Sequence, residues 1–140
     1  MAALGKNVAV FTAGVVGTGK HGQGIPALVD CLRELAKEND VTVYSLLKAN
    51  KEHVPSGIRM RELPFRTRFQ RANLLLLSMM LVGDHLRNRY ELIHAIAGFP
   101  FGTTGVSLGR LLGVPCLVVL HGGELADLAD VRFGDLRNPA

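Results

Sequence analysis

Apolar and polar positions recur with different periods along the chain, and each change of period marks an element. Val8-Ala9-Val10-Phe11 is a continuous apolar run that breaks into a stretch with glycines at Gly14, Gly17, Gly19, Gly22 and Gly24. A helical pattern then starts at Ile25, so the region reads as a strand, a glycine-rich loop and a helix. In the helix, Ile25, Leu28, Val29, Leu32, Leu35 and Ala36 share one face, and Asp30, Arg33, Glu34, Lys37 and Glu38 share the other. Pro26 suits its first turn. Asn39-Asp40 ends it, and Val41 to Leu46 reads as a second strand. The short connections make this a βαβ unit, hence the start of a parallel sheet.

Lys48 to Gly57 is polar, contains Pro55, and reads as a loop. Ile58 to Leu63 alternates apolar with charged residues before Pro64, the pattern of an edge strand with one wet face. A long helix is expected from Thr67 to Arg89. Its centre, Leu74 to Val82, is apolar all round, but these nine residues fall short of the roughly 20 that cross a bilayer. Burial between the sheet and a neighbouring layer is therefore expected, with a membrane role as the competing reading. Glu91 to Ala97 is a fourth strand, followed by a rigid loop, Gly98 to Gly102. Thr103 or Thr104 is placed to cap the next helix, which closes at Gly113 before Pro115. Cys116 to Leu120 is continuously apolar, as a strand covered on both faces would be. Together these elements predict a single α/β domain: a doubly wound, Rossmann-like parallel sheet of about five strands with helices on both faces.

In such a sheet ligands bind at the carboxyl ends of the strands. Three segments fall there: the glycine loop, Gly98 to Gly102, and His121-Gly-Gly-Glu124. The glycine loop and the helix after it offer backbone N–H groups and a positive dipole end, so phosphate is the expected guest. Gly14 to Lys20 fits the first seven positions of a nucleotide P-loop, but His21 stands where Ser or Thr must hold magnesium. Gly17 to Gly22 fits the dinucleotide fingerprint, but the second strand ends in Ser45-Leu-Leu-Lys48 with no acid for a ribose hydroxyl. His121, exposed by two glycines, can donate hydrogen bonds or move a proton near neutral pH, or it can be a loop histidine satisfied by backbone. His94 lies within a strand and either touches ligand or points into a helix interface. Cys31 and Cys116 have no metal-ligand spacing and are expected as buried free thiols.

Charge narrows the partners. The chain of 140 residues carries 16 basic and 12 acidic residues, a net +4. The excess is local, in Arg59, Arg61, Arg66, Arg68 and Arg71, and the rest of the chain is close to neutral, which argues against nucleic acid. Met1 to Lys6 has no hydrophobic signal core, so the cytoplasm is expected.

Three stretches carry a resemblance. Val8 to Val43, then Tyr90-Glu-Leu-Ile-His-Ala95 and Gly109-Arg-Leu-Leu-Gly-Val-Pro-Cys-Leu-Val-Val-Leu-His-Gly-Gly-Glu124, resemble the N-terminal domain of family 4 glycosyltransferases of the GT-B fold. The resemblance implies retaining transfer of a sugar from a nucleotide-sugar donor to a glycan or lipid-linked acceptor held by this domain, with no further cofactor and no metal. It implies that Gly22, Gln23 and Gly24 face the donor pyrophosphate and that His121 sits beside the transferred sugar; Glu124 is a candidate acceptor contact or a cap of the next helix, and His94 remains a candidate acceptor contact from its place in the strand. Right-handed crossovers and the resemblance together give the strand order 3-2-1-4-5. The family's C-terminal donor-binding domain, with its paired glutamates, has no counterpart here. The chain is therefore expected to be a truncated N-terminal domain, inactive alone, or a non-catalytic subunit of a split enzyme that needs a donor-binding partner. A P-loop phosphotransferase is the remaining alternative. Arg87 and Arg89 close the apolar helix that the earlier arginines precede, so peripheral contact with the anionic inner face of the cell membrane is also expected.

Overall fold

The computed structural model describes residues 5–14, 16, 25–64 and 67–120. In chain order these form β1 (Asn7–Thr12), α1 (Pro26–Glu38), β2 (Asp40–Ser45), β3 (Ile58–Glu62), α2 (Gln70–Asn88), β4 (Leu92–Ile96), α3 (Thr103–Leu112) and β5 (Cys116–Val119). All four strand pairs are parallel, and the order across the sheet is β3-β2-β1-β4-β5. This is the expected doubly wound, Rossmann-like α/β architecture.

Two-residue alternation sorts the core into two clusters. Val8 and Val10 of β1, with Val41 and Val43 of β2, pack with Leu32 and the partly buried Leu28 and Leu35 of α1. Ala9 and Phe11, with Tyr44, face the opposite side and pack with Leu77 and Leu81 of α2, Leu108 of α3 and Phe101. β1 is thus apolar on both faces because helices lie on both. The α3 layer comes close to the sheet because two of its positions lack side chains: a Cβ at Gly105 would lie 2.8 Å from the Ala95 Cβ, and one at Gly109 2.6 Å from the Val114 carbonyl oxygen.

Four expectations need correction. α2 is apolar all round, yet Leu75 and Met79 are each 62% exposed and Leu86 is 70% exposed. Its inner face meets the sheet, and among the described residues no further layer covers the outer one. Among the described residues β5 is covered by α3 on one face, while Leu117 on the other is 50% exposed. Neither Thr103 nor Thr104 caps α3. Its first flanking residue is Gly102 with no side-chain cap, and the Thr103 hydroxyl instead donates to the Pro100 carbonyl at 3.0 Å. Cys31 is exposed, because it falls on the polar face of α1.

β3 is an edge strand, as its alternation predicts, and its arginines are anchored inward. Arg59 donates through Nε to the Thr42 hydroxyl at 3.2 Å and pairs with Asp40 at 2.9 Å. Arg61 grips both oxygens of the buried Asp84 carboxylate of α2, at 2.8 and 2.6 Å. The Tyr44 hydroxyl donates to the same carboxylate at 2.8 Å and lies 2.7 Å from the Tyr90 hydroxyl. A carboxylate that satisfies an arginine and a tyrosine from one buried position fixes where α2 crosses β2 and β3. Burial and these bonds hold the Tyr44 phenol far above its ordinary range.

Asp84→Ala leaves Tyr44 and Arg61 without their acceptor and should cost about 3 kcal/mol in urea denaturation. Leu86→Ala, two residues on but exposed, should change stability by less than about 0.5 kcal/mol. Equal losses would contradict the network. The hydrogen bonds from Arg61 hold the Asp84 carboxyl below its usual range. Its contribution is therefore present above the ordinary carboxylate pKa and is lost as pH falls through the depressed folded value. Asp84→Asn should flatten the acid limb of the stability profile below about pH 4.

Candidate functional site at the carboxyl edge of the sheet

β1 and β4 lie side by side, but the chain leaves β1 toward β2 and leaves β4 toward β5. The two connections diverge, and a crevice opens between them at the carboxyl ends of the strands. On the β1 side the walls are stitched together: Leu47 donates its N–H to the Ala13 carbonyl at 2.8 Å, and the Ser45 hydroxyl donates to the Leu47 carbonyl at 2.7 Å. Gly14 permits this approach, since a Cβ there would lie 2.7 Å from the Leu47 Cβ. On the β4 side, Ala97 donates its N–H to the Val119 carbonyl at 2.9 Å and takes φ 88°, ψ 151°. A side chain holds such a backbone at a cost of about 1–3 kcal/mol, and residues of this kind concentrate at functional sites. The turn that follows splits its aromatics. Phe101 is buried against Phe11, with ring centroids 5.5 Å apart, while Phe99 is 80% exposed.

The start of α2 closes the same edge. A cleft of about 360 Å3 is lined by Ala13, Leu46, Leu47, Thr67, Arg68, Gln70 and Asn73. No side chain caps α2. Its entry is held instead from inside the first turn: Asn73 Oδ1 accepts the Thr67 N–H at 2.7 Å and the Thr67 hydroxyl at 2.9 Å, and Asn73 Nδ2 donates to the Thr67 carbonyl at 2.9 Å. Among the described residues no side chain caps the first-turn N–H groups, which with their dipole can meet a ligand. Arg68 adds a cation, its guanidinium carbon 5.0 Å from the centre of the exposed Phe69 ring. The chemistry of this edge is a guanidinium, amide and hydroxyl donors and exposed aromatic faces, which suits a ligand rich in hydroxyls or carrying negative charge.

A second cleft, about 340 Å3, lies toward the amino ends of the strands beside Thr42, Arg59, Arg61, Asp84, Asn88 and Tyr90. Its two arginines are already paired with Asp40 and Asp84, so a ligand there would displace existing partners. Among the described residues no group of three or more His, Cys, Asp or Glu could hold a metal ion.

Of the residues singled out from the sequence, Gly22, Gln23, Gly24, His121 and Glu124 lie outside the described residues. His94 is the central residue of β4, in register with Val10 and Leu117 and so on the sheet face that carries α1. It is buried, with Nε2 unpartnered, and is not part of the carboxyl-edge cleft. Burial pushes its pKa down. Sequence reasoning missed Arg68, Asn73 and Phe99. Arg68 was visible only as one of several arginines, and Asn73 only as a polar residue ahead of an apolar run. Phe99 and Phe101 share one motif, and only the fold turns one in and the other out.

No family model matches the chain, and no curated protein matches it. The solved structures that share its architecture include two of the C-terminal domain of PF1911 hydrogenase from Pyrococcus furiosus. For residues 83–215 of that protein the TM-score is 0.53, with 16% identity over 85% of this chain and 94% of that one. For residues 78–226 the TM-score is 0.53, with 18% identity over 84% and 91%. Identities this low establish the Rossmann-like fold and nothing of activity.

The buried, unpartnered His94 gives a pH test. Its neutral form is the folded form, whereas the unfolded chain takes up a proton near pH 6.5, so stability is lost as pH falls through and below that value. His94→Leu removes this loss. Between pH 7 and pH 5 the melting temperature of the wild type should fall more steeply than that of the variant. Parallel profiles would show that His94 is not buried neutral.

Proposed function

We propose that the chain is the N-terminal, acceptor-binding half of a retaining glycosyltransferase of the GT-B type. The supporting observation is the carboxyl edge itself: a divergent crevice at β1 and β4, bordered by a cleft with Arg68 and the uncapped first turn of α2, and by the outward Phe99. Aromatic faces and fixed donors are what a sugar acceptor requires, since a pyranose presents apolar C–H faces and a rim of hydroxyls. In this reading the amides of Gly22, Gln23 and Gly24 stabilise the charge that builds on the leaving nucleotide diphosphate as the anomeric carbon–oxygen bond breaks. The acceptor hydroxyl forms the new glycosidic bond and passes its proton to the departing diphosphate, with His121 orienting the transferred sugar and Glu124 near the acceptor. His94, buried beneath the crevice, has a packing role instead. The nucleotide is held chiefly by a donor-binding domain or subunit, and the setting is the cytoplasm.

A second reading is the non-catalytic subunit of a split enzyme. It is favoured by the apolar residues left open at the β5 edge, Leu117 at 50% and Leu120 at 43% exposure, where another domain can dock.

Calorimetry of the chain with glycosides, nucleotide-sugars and ATP with magnesium tests the first reading. A glycoside should bind weakly, Phe99→Ala and Arg68→Gln should each weaken it about tenfold, and ATP should not bind. Magnesium-dependent micromolar ATP binding would favour a phosphotransferase instead.

A further inference from the structure

We infer that the outer face of the α2 and α3 layer is a docking surface for an anionic lipid bilayer. Leu75, Met79 and Leu86 follow one another at intervals of four and seven residues, which aligns them in a single stripe about 16 Å long on the helix side away from the sheet, while Val82 packs against the core. Leu75, Met79 and Leu86 are mostly exposed, as is Leu111 of α3 at 74%. Both helices pack on the same face of the sheet, so these side chains belong to one surface. A soluble monomer gains nothing by aligning leucines in water, and contiguous patches of this kind mark contact sites.

The charges around the stripe decide the partner. Arg71 and Arg87 flank it on α2, and Arg110 lies on α3, all exposed. Neither helix carries an exposed acid: α3 has none, and the single acid of α2, Asp84, is buried and gripped by Arg61. The opposite surface differs in kind. α1 exposes Asp30, Glu34 and Glu38 with Arg33 and Lys37, and pairs Arg33 with Asp30 and Lys37 with Glu34. Among the described residues, the exposed charges of α2 and α3 are therefore all cationic beside apolar side chains, and those of α1 are mixed and slightly acidic, which orients the α2 and α3 side toward an anionic surface.

The same charges disfavour a second copy as occupant. Antiparallel pairing of two stripes about Met79 sets Arg71 of each helix against Arg87 of the other, and parallel pairing sets each arginine against itself. Among the described residues no helix is long and apolar enough to cross a membrane, so the contact is peripheral. Arg59 and Arg61 take no part, because both are paired with carboxylates. The surface is independent of the reaction proposed above.

The test is co-sedimentation of the 140-residue chain with vesicles of phosphatidylcholine alone or mixed with phosphatidylglycerol, at low and high salt. Binding should need phosphatidylglycerol and weaken with salt. Replacing Arg71, Arg87 and Arg110 together with Gln should weaken it on the order of a hundredfold, at about fivefold for each arginine. Met79→Glu should weaken it at least about tenfold with an unchanged circular dichroism spectrum. Arg33→Gln with Lys37→Gln on the opposite face should leave it within about twofold. The inference is overturned if the wild type stays in the supernatant with anionic vesicles at low salt, or if the α1 variant loses as much as the arginine triple. It is also overturned if light scattering finds a dimer that Met79→Glu dissociates and that ignores vesicles.

Discussion

Everything in this fold depends on β1 being buried on both faces and paired on both edges. Val8 to Thr12 are all within 1% of complete burial, with β2 on one side and β4 on the other. A strand so placed can form no further pair, and each parallel neighbour must be reached by a crossover. The crossovers leave in opposite directions, and their divergence creates the crevice at the carboxyl edge. The site is therefore a consequence of topology before any side chain is considered. Gly14, the strained Ala97 and the clasp between Thr67 and Asn73 then shape its rim.

Elements whose period matched their surroundings were legible from sequence. The apolar run of β1, the amphipathic α1 and the alternating β3 each report one environment, and the order of the strands followed. What was not legible is which side of an apolar element is covered. A helix apolar all round implies burial all round, yet α2 packs one side on the sheet and exposes Leu75, Met79 and Leu86. Periodicity is blind here because both faces carry leucine. The same limit applies to β5, whose Leu117 and Val118 look alike in sequence but face solvent and α3 respectively.

The polar interior was less legible still. Asp84 reads as an isolated acid near the end of an apolar helix, and nothing local announces that Arg61, Tyr44 and Tyr90 converge on it from other elements. Such networks depend on sequence-distant contacts, so they emerge only once the strands are in register. At the candidate site Gly14 pointed to the carboxyl edge of the sheet, because glycine marks close backbone approach. Phe99 and Arg68 became visible only through exposure and through the position of the α2 start.

The account's central claim is that ligand chemistry belongs to the carboxyl edge rather than to the arginine-lined cleft at the other end of the strands. Amide chemical-shift mapping of the isotope-labelled chain with a glycoside acceptor measures this directly. The account predicts perturbations at Thr12 to Gly14, Ile96 to Gly102 and Thr67 to Gln70. Perturbations centred on Thr42, Arg59, Asn88 and Tyr90, with the carboxyl edge unmoved, would contradict it.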